Sequence, residues 1–217
     1  MSAQRDYPRG SLDEDETLLD ARARGEDFGC VPVDPAEGAA LRFLATAVRA
    51  KAVVEIGTGV GVSGLWLLRG MTPDGVLTSI DIEPEHQRSA RVGFLEAGYS
   101  SSRLRLINGT ALDVLPRLAD GAYDLIFVDA VFMEYPRYLI ESIRLLRPGG
   151  VVALSGALPG EELDELAGHP DHQAVREVQR MCREDAALVL WPLPLGTGLL
   201  IAAKALPSAA PAQLSRR

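Results

Sequence analysis

Cysteine is scarce in this 217-residue chain: Cys30 and Cys182 are the only two, far apart and in no CxxC pair. That excludes a disulfide framework and a zinc ribbon, and two reduced, packed thiols are expected. Basic residues are in the minority, with 22 Lys and Arg against 30 Asp and Glu and a net charge of −8. An acidic surface repels phosphate backbones, so neither nucleic acid nor an anionic membrane is an expected partner. The first ten residues contain no apolar stretch of the kind a secretory signal needs. The charge-free run 186–203 is broken by Pro192, Pro194, Gly196 and Gly198. A spanning helix needs about 20 predominantly apolar residues, so this run predicts two strands around a turn instead. Internal repeats and linker-like composition are also missing. The expectation is a single cytoplasmic domain over residues 11–207, between mobile tails at 1–10 and 208–217.

What is present is a regular alternation. Ser11 and Glu14 have capping-box spacing ahead of Leu18 and Leu19, which predicts a short first helix. Asp34, Pro35 and Glu37 mark a second start, followed by Leu41, Leu44, Ala45 and Val48 at helical spacing. From Ala52 onward, short β-branched runs alternate with helical stretches. Strands are predicted at Ala52–Ile56, Val76–Asp81, Arg103–Ile107, Tyr123–Asp129 and Val151–Leu154. Helices are predicted through Trp66 and Leu68, over Pro84–Ala97, near Ala111–Leu118, over Pro136–Leu146 and over Asp171–Arg183, with a polar segment at Glu161–Gly168. Leu188–Trp191 and Leu199–Ala203 are too close together for a crossover helix, so they must run antiparallel. The predicted class is α/β: a mostly parallel seven-stranded sheet with a C-terminal antiparallel hairpin and helices on both faces.

Ligands of such sheets sit at the carboxyl ends of the strands, near the switch in strand order. The first strand runs into Glu55-Ile56-Gly57-Thr58-Gly59-Val60-Gly61. Alternate glycines permit a sharp turn and a close ligand, and the helix starting near Val62 and Ser63 offers free N–H groups to an anion. Asp81 closes the second strand, where an acid can accept both hydroxyls of a ribose, close to the roughly 20 residues expected after the glycine turn. Asp129 closes the fourth strand and is expected to face the same crevice. Gly59 to Gly64 also satisfy GxGxxG, the nicotinamide-cofactor fingerprint. Against that, the turn begins at Gly57 and the sheet ends in a hairpin. That hairpin is the mark of the S-adenosylmethionine (SAM) methyltransferase variant of the Rossmann-like fold.

The stretches VVEIGTGVGVSGLWL, LTSIDIEPEHQRSAR, LINGTALDVLPRL, YDLIFVDA and RLLRPGGVV span most of residues 30–155. They resemble the bacterial O-methyltransferases related to the catechol and caffeoyl-coenzyme A enzymes, nearest to an actinobacterial branch. The resemblance implies a SAM-dependent enzyme, commonly a homodimer, acting on a hydroxyl of a small aromatic molecule. It places the backbone of Val33 at the methionine carboxylate, with Ser63 reaching the same group. Glu55, Gly57, Thr58 and Gly59 match the loop under the methionine moiety. Asp81 matches the ribose acid, Ile82 lies beside the adenine, and Gly109, Thr110 and Ala111 match the loop at the adenine edge. Asp129 matches a residue next to both the methyl donor and a metal.

Two departures accompany that match. Family members commonly read D-A-D-K where this chain has Asp129-Ala130-Val131-Phe132, and D-N where it has Ser155-Gly156. One carboxylate remains of the metal set, and the lysine that can serve as a base is a phenylalanine. A hard divalent cation relies on several charged oxygen ligands, so no tight metal site is expected. Asp129 is then the remaining candidate for the catalytic base. His169 and His172 are expected to cap and flank a surface helix, His86 to be exposed, and Trp66 to be core. Phe132, Met133 and Tyr135 follow Asp129, where substrate would enter, so contact and plain packing both stay open. Two other readings also stay open: a SAM-binding protein without catalysis, and an NAD-dependent oxidoreductase.

Overall fold

The structure, a computed structural model, describes residues 12, 14–158 and 168–207. The elements run α1 (Glu16–Phe28), α2 (Pro35–Ala47), β1 (Ala52–Ile56), α3 (Val62–Gly70), β2 (Val76–Asp81), α4 (Pro84–Glu96) and β3 (Leu104–Asn108). They continue α5 (Ala111–Val114), β4 (Tyr123–Val128), α6 (Tyr135–Leu145), β5 (Leu146–Leu154), α7 (Pro170–Glu184), β6 (Leu188–Leu193) and β7 (Leu199–Lys204). The expected tails, Ser11 of the predicted capping box, and residues 161–167 of the polar segment lie outside the described residues.

The sheet order is β3-β2-β1-β4-β5-β7-β6. Strands β1 to β5 pair in parallel, and β7 pairs antiparallel with both β5 and β6. Strand side chains alternate between faces, and this divides the apolar residues into two layers. Val53, Leu77, Leu125 and Phe127 pack under α1–α4 on one face. Val54, Ile80, Ile126 and Val128 pack under α5–α7 on the other. Both faces are covered, which explains why β4 is buried along nearly its whole length. Strand β6 extends through Pro192, two residues beyond the predicted end. It is an edge strand, where proline does not break the ladder.

Helix starts follow their side chains. The Asp34 carboxylate accepts the Glu37 N–H at 2.8 Å, with Pro35 in the first turn, as predicted. The first helix corrects the prediction: it begins at Glu16, where Asp15 accepts the Leu18 N–H. Glu14 is not a capping-box partner. It accepts two hydrogen bonds from Arg22, at 2.5 and 2.7 Å, and one from the Trp66 indole at 3.3 Å. Trp66 is core, as expected. His169 caps α7 by accepting the Asp171 N–H at 3.3 Å, and His172 is buried on that helix. Cys30 and Cys182 are both free thiols.

Candidate active site

The strand order reverses between β1 and β4, and the carboxyl ends of β1, β2 and β4 open there onto a cavity of about 530 Å³. Eleven of the twelve predicted site residues line it: Val33, Gly57, Thr58, Gly59, Ser63, Asp81, Ile82, Gly109, Thr110, Ala111 and Asp129. Glu55 does not.

The glycine turn is fixed from both sides. Gly57 has φ +95°, and a Cβ there would lie 1.9 Å from the Asp129 carbonyl oxygen. Only glycine allows the β1 and β4 ends to come so close. The Asp81 carboxylate accepts the N–H groups of Thr58 and Gly59, both at 2.9 Å, and that of Glu83 at 2.8 Å. An ionised carboxylate has about four acceptor positions. Asp81 therefore braces the turn and keeps acceptor capacity on the cavity wall.

Beneath the turn lies a buried polar chain. Glu55 is fully buried and accepts the hydroxyls of Ser63 at 2.7 Å and Ser79 at 2.5 Å. With the Ser79 proton committed to Glu55, the Thr58 hydroxyl donates to Ser79 at 2.6 Å. Gln87 in turn donates to Thr58 at 3.3 Å, and also reaches the carbonyls of Ser79 and Ile107. Burial pushes the Glu55 carboxyl up to about 7, against the two serine hydroxyls. Its assignment to direct cofactor contact is thus corrected. It sits behind the wall and orients Ser63 and Ser79, because β1 alternation turns residue 55 into the core beside Val53.

The opposite rim is held by Arg22, whose guanidinium donates to the Val33 carbonyl at 2.6 Å while paired with Glu14. Asp129 faces the cavity partly buried, and desolvation raises its carboxyl to about 6. Glu37 on α2 is 1% exposed, and burial pushes it up to about 7, with the charges of Asp129 and Asp34 adding to the shift.

On the acceptor side, where the sequence leaves contact and packing both open, Phe132, Met133 and Tyr135 fall outside the cavity wall; Val131, Glu134 and Tyr138 line it. Tyr135 is fully buried and donates to the Ser155 carbonyl at 2.9 Å. Phe132 stacks edge-on against Tyr135, and a Cβ at Gly156 would meet its ring at 2.7 Å. The aromatic ring therefore fills the space that a side chain at position 156 needs. The Ser155 hydroxyl is turned to Thr197 at 3.3 Å. Among the described residues, no group of three His, Cys, Asp or Glu has metal-holding geometry. The donor set does not fit the divalent cation that the resemblance implies.

Several lining residues were missed in the sequence. His86 is not the exposed residue expected: it lines the cavity 3.7 Å from the Asp81 carboxylate and packs edge-on against Phe28. Its place in the first turn after Asp81 was the available signal. Cys30 and the Glu134–Tyr138 hydrogen-bonded pair also line it, and no sequence pattern announces them.

A doubly wound sheet that finishes in a reversed hairpin, with its cavity at the β1–β4 switch, places the molecule among the Rossmann-like methyltransferases. Within that class the chain belongs to the O-methyltransferase family, whose model matches residues 14–205. A Mycobacterium sp. (strain JLS) protein named as an O-methyltransferase is 52% identical over 195 residues, 89% of each chain. A protein of Corynebacterium glutamicum superposes with a TM-score of 0.82 at 33% identity, covering 91% of this chain and 94% of that one. The O-methyltransferase TomG of Streptomyces achromogenes, involved in tomaymycin synthesis and crystallised with SAM, does so with a TM-score of 0.82 at 30% identity, covering 89% and 91%. The chain is an O-methyltransferase by family, which sets aside the oxidoreductase reading.

Proposed function

We propose that this SAM-dependent O-methyltransferase methylates a hydroxyl of a small aromatic molecule without a resident divalent metal, with Asp129 as proton acceptor. One observation carries the reading: Asp129 is the carboxylate at the β4 end, on the cavity wall, packed by its own carbonyl against the glycine turn. The Phe132 ring over Gly156 supports the metal-free part.

The cofactor supplies a methyl carbon on a positively charged sulfur. The chain's task is alignment and proton removal. The N–H groups at the start of α3, that of Ser63 among them, and the Val33 backbone would hold the methionine carboxylate, while the Ser63 hydroxyl stays committed to Glu55. Arg22 holds the Val33 peptide in place. Asp81 would accept the ribose hydroxyls, with Ile82 beside the adenine and Gly109, Thr110 and Ala111 at its edge, all of them on the cavity wall. Asp129 is placed to take the proton of the acceptor hydroxyl, to whose oxygen the bound cofactor would supply the methyl group.

The reading includes one domain over residues 11–207, a cytoplasmic location and a homodimer. No helix among the described residues is long and apolar enough to cross a membrane. Edge strand β6 presents Val189 and Trp191 to solvent, a surface suited to a second copy. Light scattering at micromolar concentration checks the dimer.

Purified protein with SAM and a panel of phenols should release S-adenosylhomocysteine at a rate that a chelator leaves unchanged. Loss of turnover on chelation, restored by Mg²⁺, sinks the metal-free mechanism.

A further inference from the structure

One polar side chain beside the cavity has no part in the chemistry above. Asn108 closes β3 and sits opposite Asp81, which closes β2. Its side-chain nitrogen donates to the Asp81 carbonyl at 3.1 Å and to the Ile82 carbonyl at 3.0 Å. Both partners only accept, so the amide nitrogen, and not its oxygen, faces them. The next peptide adds a third bond, from the Gly109 N–H to the Asp81 carbonyl at 2.9 Å. Asn108 is exposed and stands off the cavity wall, whereas Asp81, Ile82 and Gly109 all lie on it.

These bonds grip the chain where it leaves β2, and that grip decides where the Asp81 carboxylate points. One of its oxygens accepts the N–H groups of Thr58 and Gly59, and the other accepts that of Glu83. A carboxylate has about four acceptor positions, so little is left over, and its direction follows the Asp81 backbone. Asparagine suits the task because one short side chain carries two N–H donors on a single nitrogen. Aspartate has no donor when ionised, and alanine has none at all. The bonds are exposed, where exchange with water leaves a hydrogen bond little net effect on stability.

We propose that Asn108 is a positioning residue for the adenosine half of the cofactor: its amide clamps the Asp81–Ile82 backbone and so aims the Asp81 carboxylate at the ribose. The proposal rests on the cofactor reading above and adds to it a residue that touches neither cofactor nor acceptor.

Calorimetry with S-adenosylhomocysteine, and with its analogue lacking one ribose hydroxyl, tests this beside thermal unfolding of the unliganded protein. Wild type should bind the parent compound more tightly than the analogue. Asn108→Asp sets a carboxylate against two carbonyls and should weaken S-adenosylhomocysteine about ten-fold, with the analogue much less affected. Asn108→Ala, which adds no charge, should show the same split at about three-fold. Both variants should unfold within about 2 °C of wild type. In an Asp81→Asn background, Asn108→Asp should cost no further affinity. Equal weakening of both ligands with a lowered unfolding midpoint marks a merely structural role and overturns the proposal. Unchanged affinity in both variants, or losses that add in the double variant, overturn it as well. Wild type that treats the two ligands alike removes Asp81 from the ribose, and the proposal falls with that reading.

Discussion

The two halves of the cavity wall are built by different rules. The half formed by β1, α3, β2 and the start of α4 is a closed polar network: Gln87, Thr58, Ser79, Glu55 and Ser63 satisfy one another, and Asp81 braces the turn above them. The half formed by the β4 and β5 ends is packed by bulk. Phe132 fills space over Gly156, Tyr135 is buried beneath it, and one carboxylate oxygen of Glu37 is buried without a hydrogen-bond partner. A network in which each group needs its neighbour tolerates little change, whereas a packed region can exchange one shape for another. The cofactor half therefore fixes which donor is used, and the acceptor half is free to set which molecule receives the methyl group.

Substitutions in each half should break this contrast or sharpen it. The largest effect is expected from Asp129→Asn, which removes the proton acceptor and keeps the shape. Turnover should fall about 10³-fold, while calorimetry shows cofactor affinity within about three-fold. An equal loss of both would mean that the two halves are not separable.

Next is Glu55→Gln. The folded protein holds the Glu55 proton up to about 7, against an ordinary value of 4.5. In that window the folded state binds more protons than the unfolded one, so stability from this residue is complete below about 4.5 and is lost as pH rises through about 7. Glutamine has no proton to lose. Denaturant unfolding from pH 4 to 8 should give the variant a flatter profile and a relative gain at the alkaline end on the order of 3 kcal/mol. Glu37, raised in the same way, retains its share of the slope. An unchanged slope would place the Glu55 charge in a better-solvated site than the geometry shows.

Asp81→Asn should weaken cofactor binding by roughly 2 kcal/mol, about thirty-fold, through loss of charge-assisted hydrogen bonds. Its kcat at saturating cofactor should stay near wild type. The smallest effect is expected from Arg22→Ala, which frees the Val33 carbonyl. A loss of about 1 kcal/mol in cofactor affinity with unchanged acceptor KM is the expected reading in titration calorimetry.

The same contrast explains what was legible in the sequence. The cofactor half depends on backbone conformation, and backbone demands leave marks: the glycine at 57, an acid closing β2, and Asp34 with Pro35 at the start of α2. Strand alternation and the short β6–β7 connection likewise announced the sheet and its hairpin. The acceptor half depends on side-chain shape between segments distant in sequence. Nothing local in Phe132 tells that its ring sits over Gly156, twenty-four positions later. Glu37 reads as a helix-start residue, and its burial is set by the fold around it. Glu55, which the resemblance groups with the loop under the methionine moiety, is turned inward by the pleat of β1.

The contact between Gly57 and the Asp129 carbonyl also joins the two halves mechanically. With no room for even a methyl group between the two strand ends, the methyl-donor cradle and the carboxylate are held at a fixed separation. Registry between them is then a property of the main chain, inherited by whatever aromatic guest the side chains happen to admit.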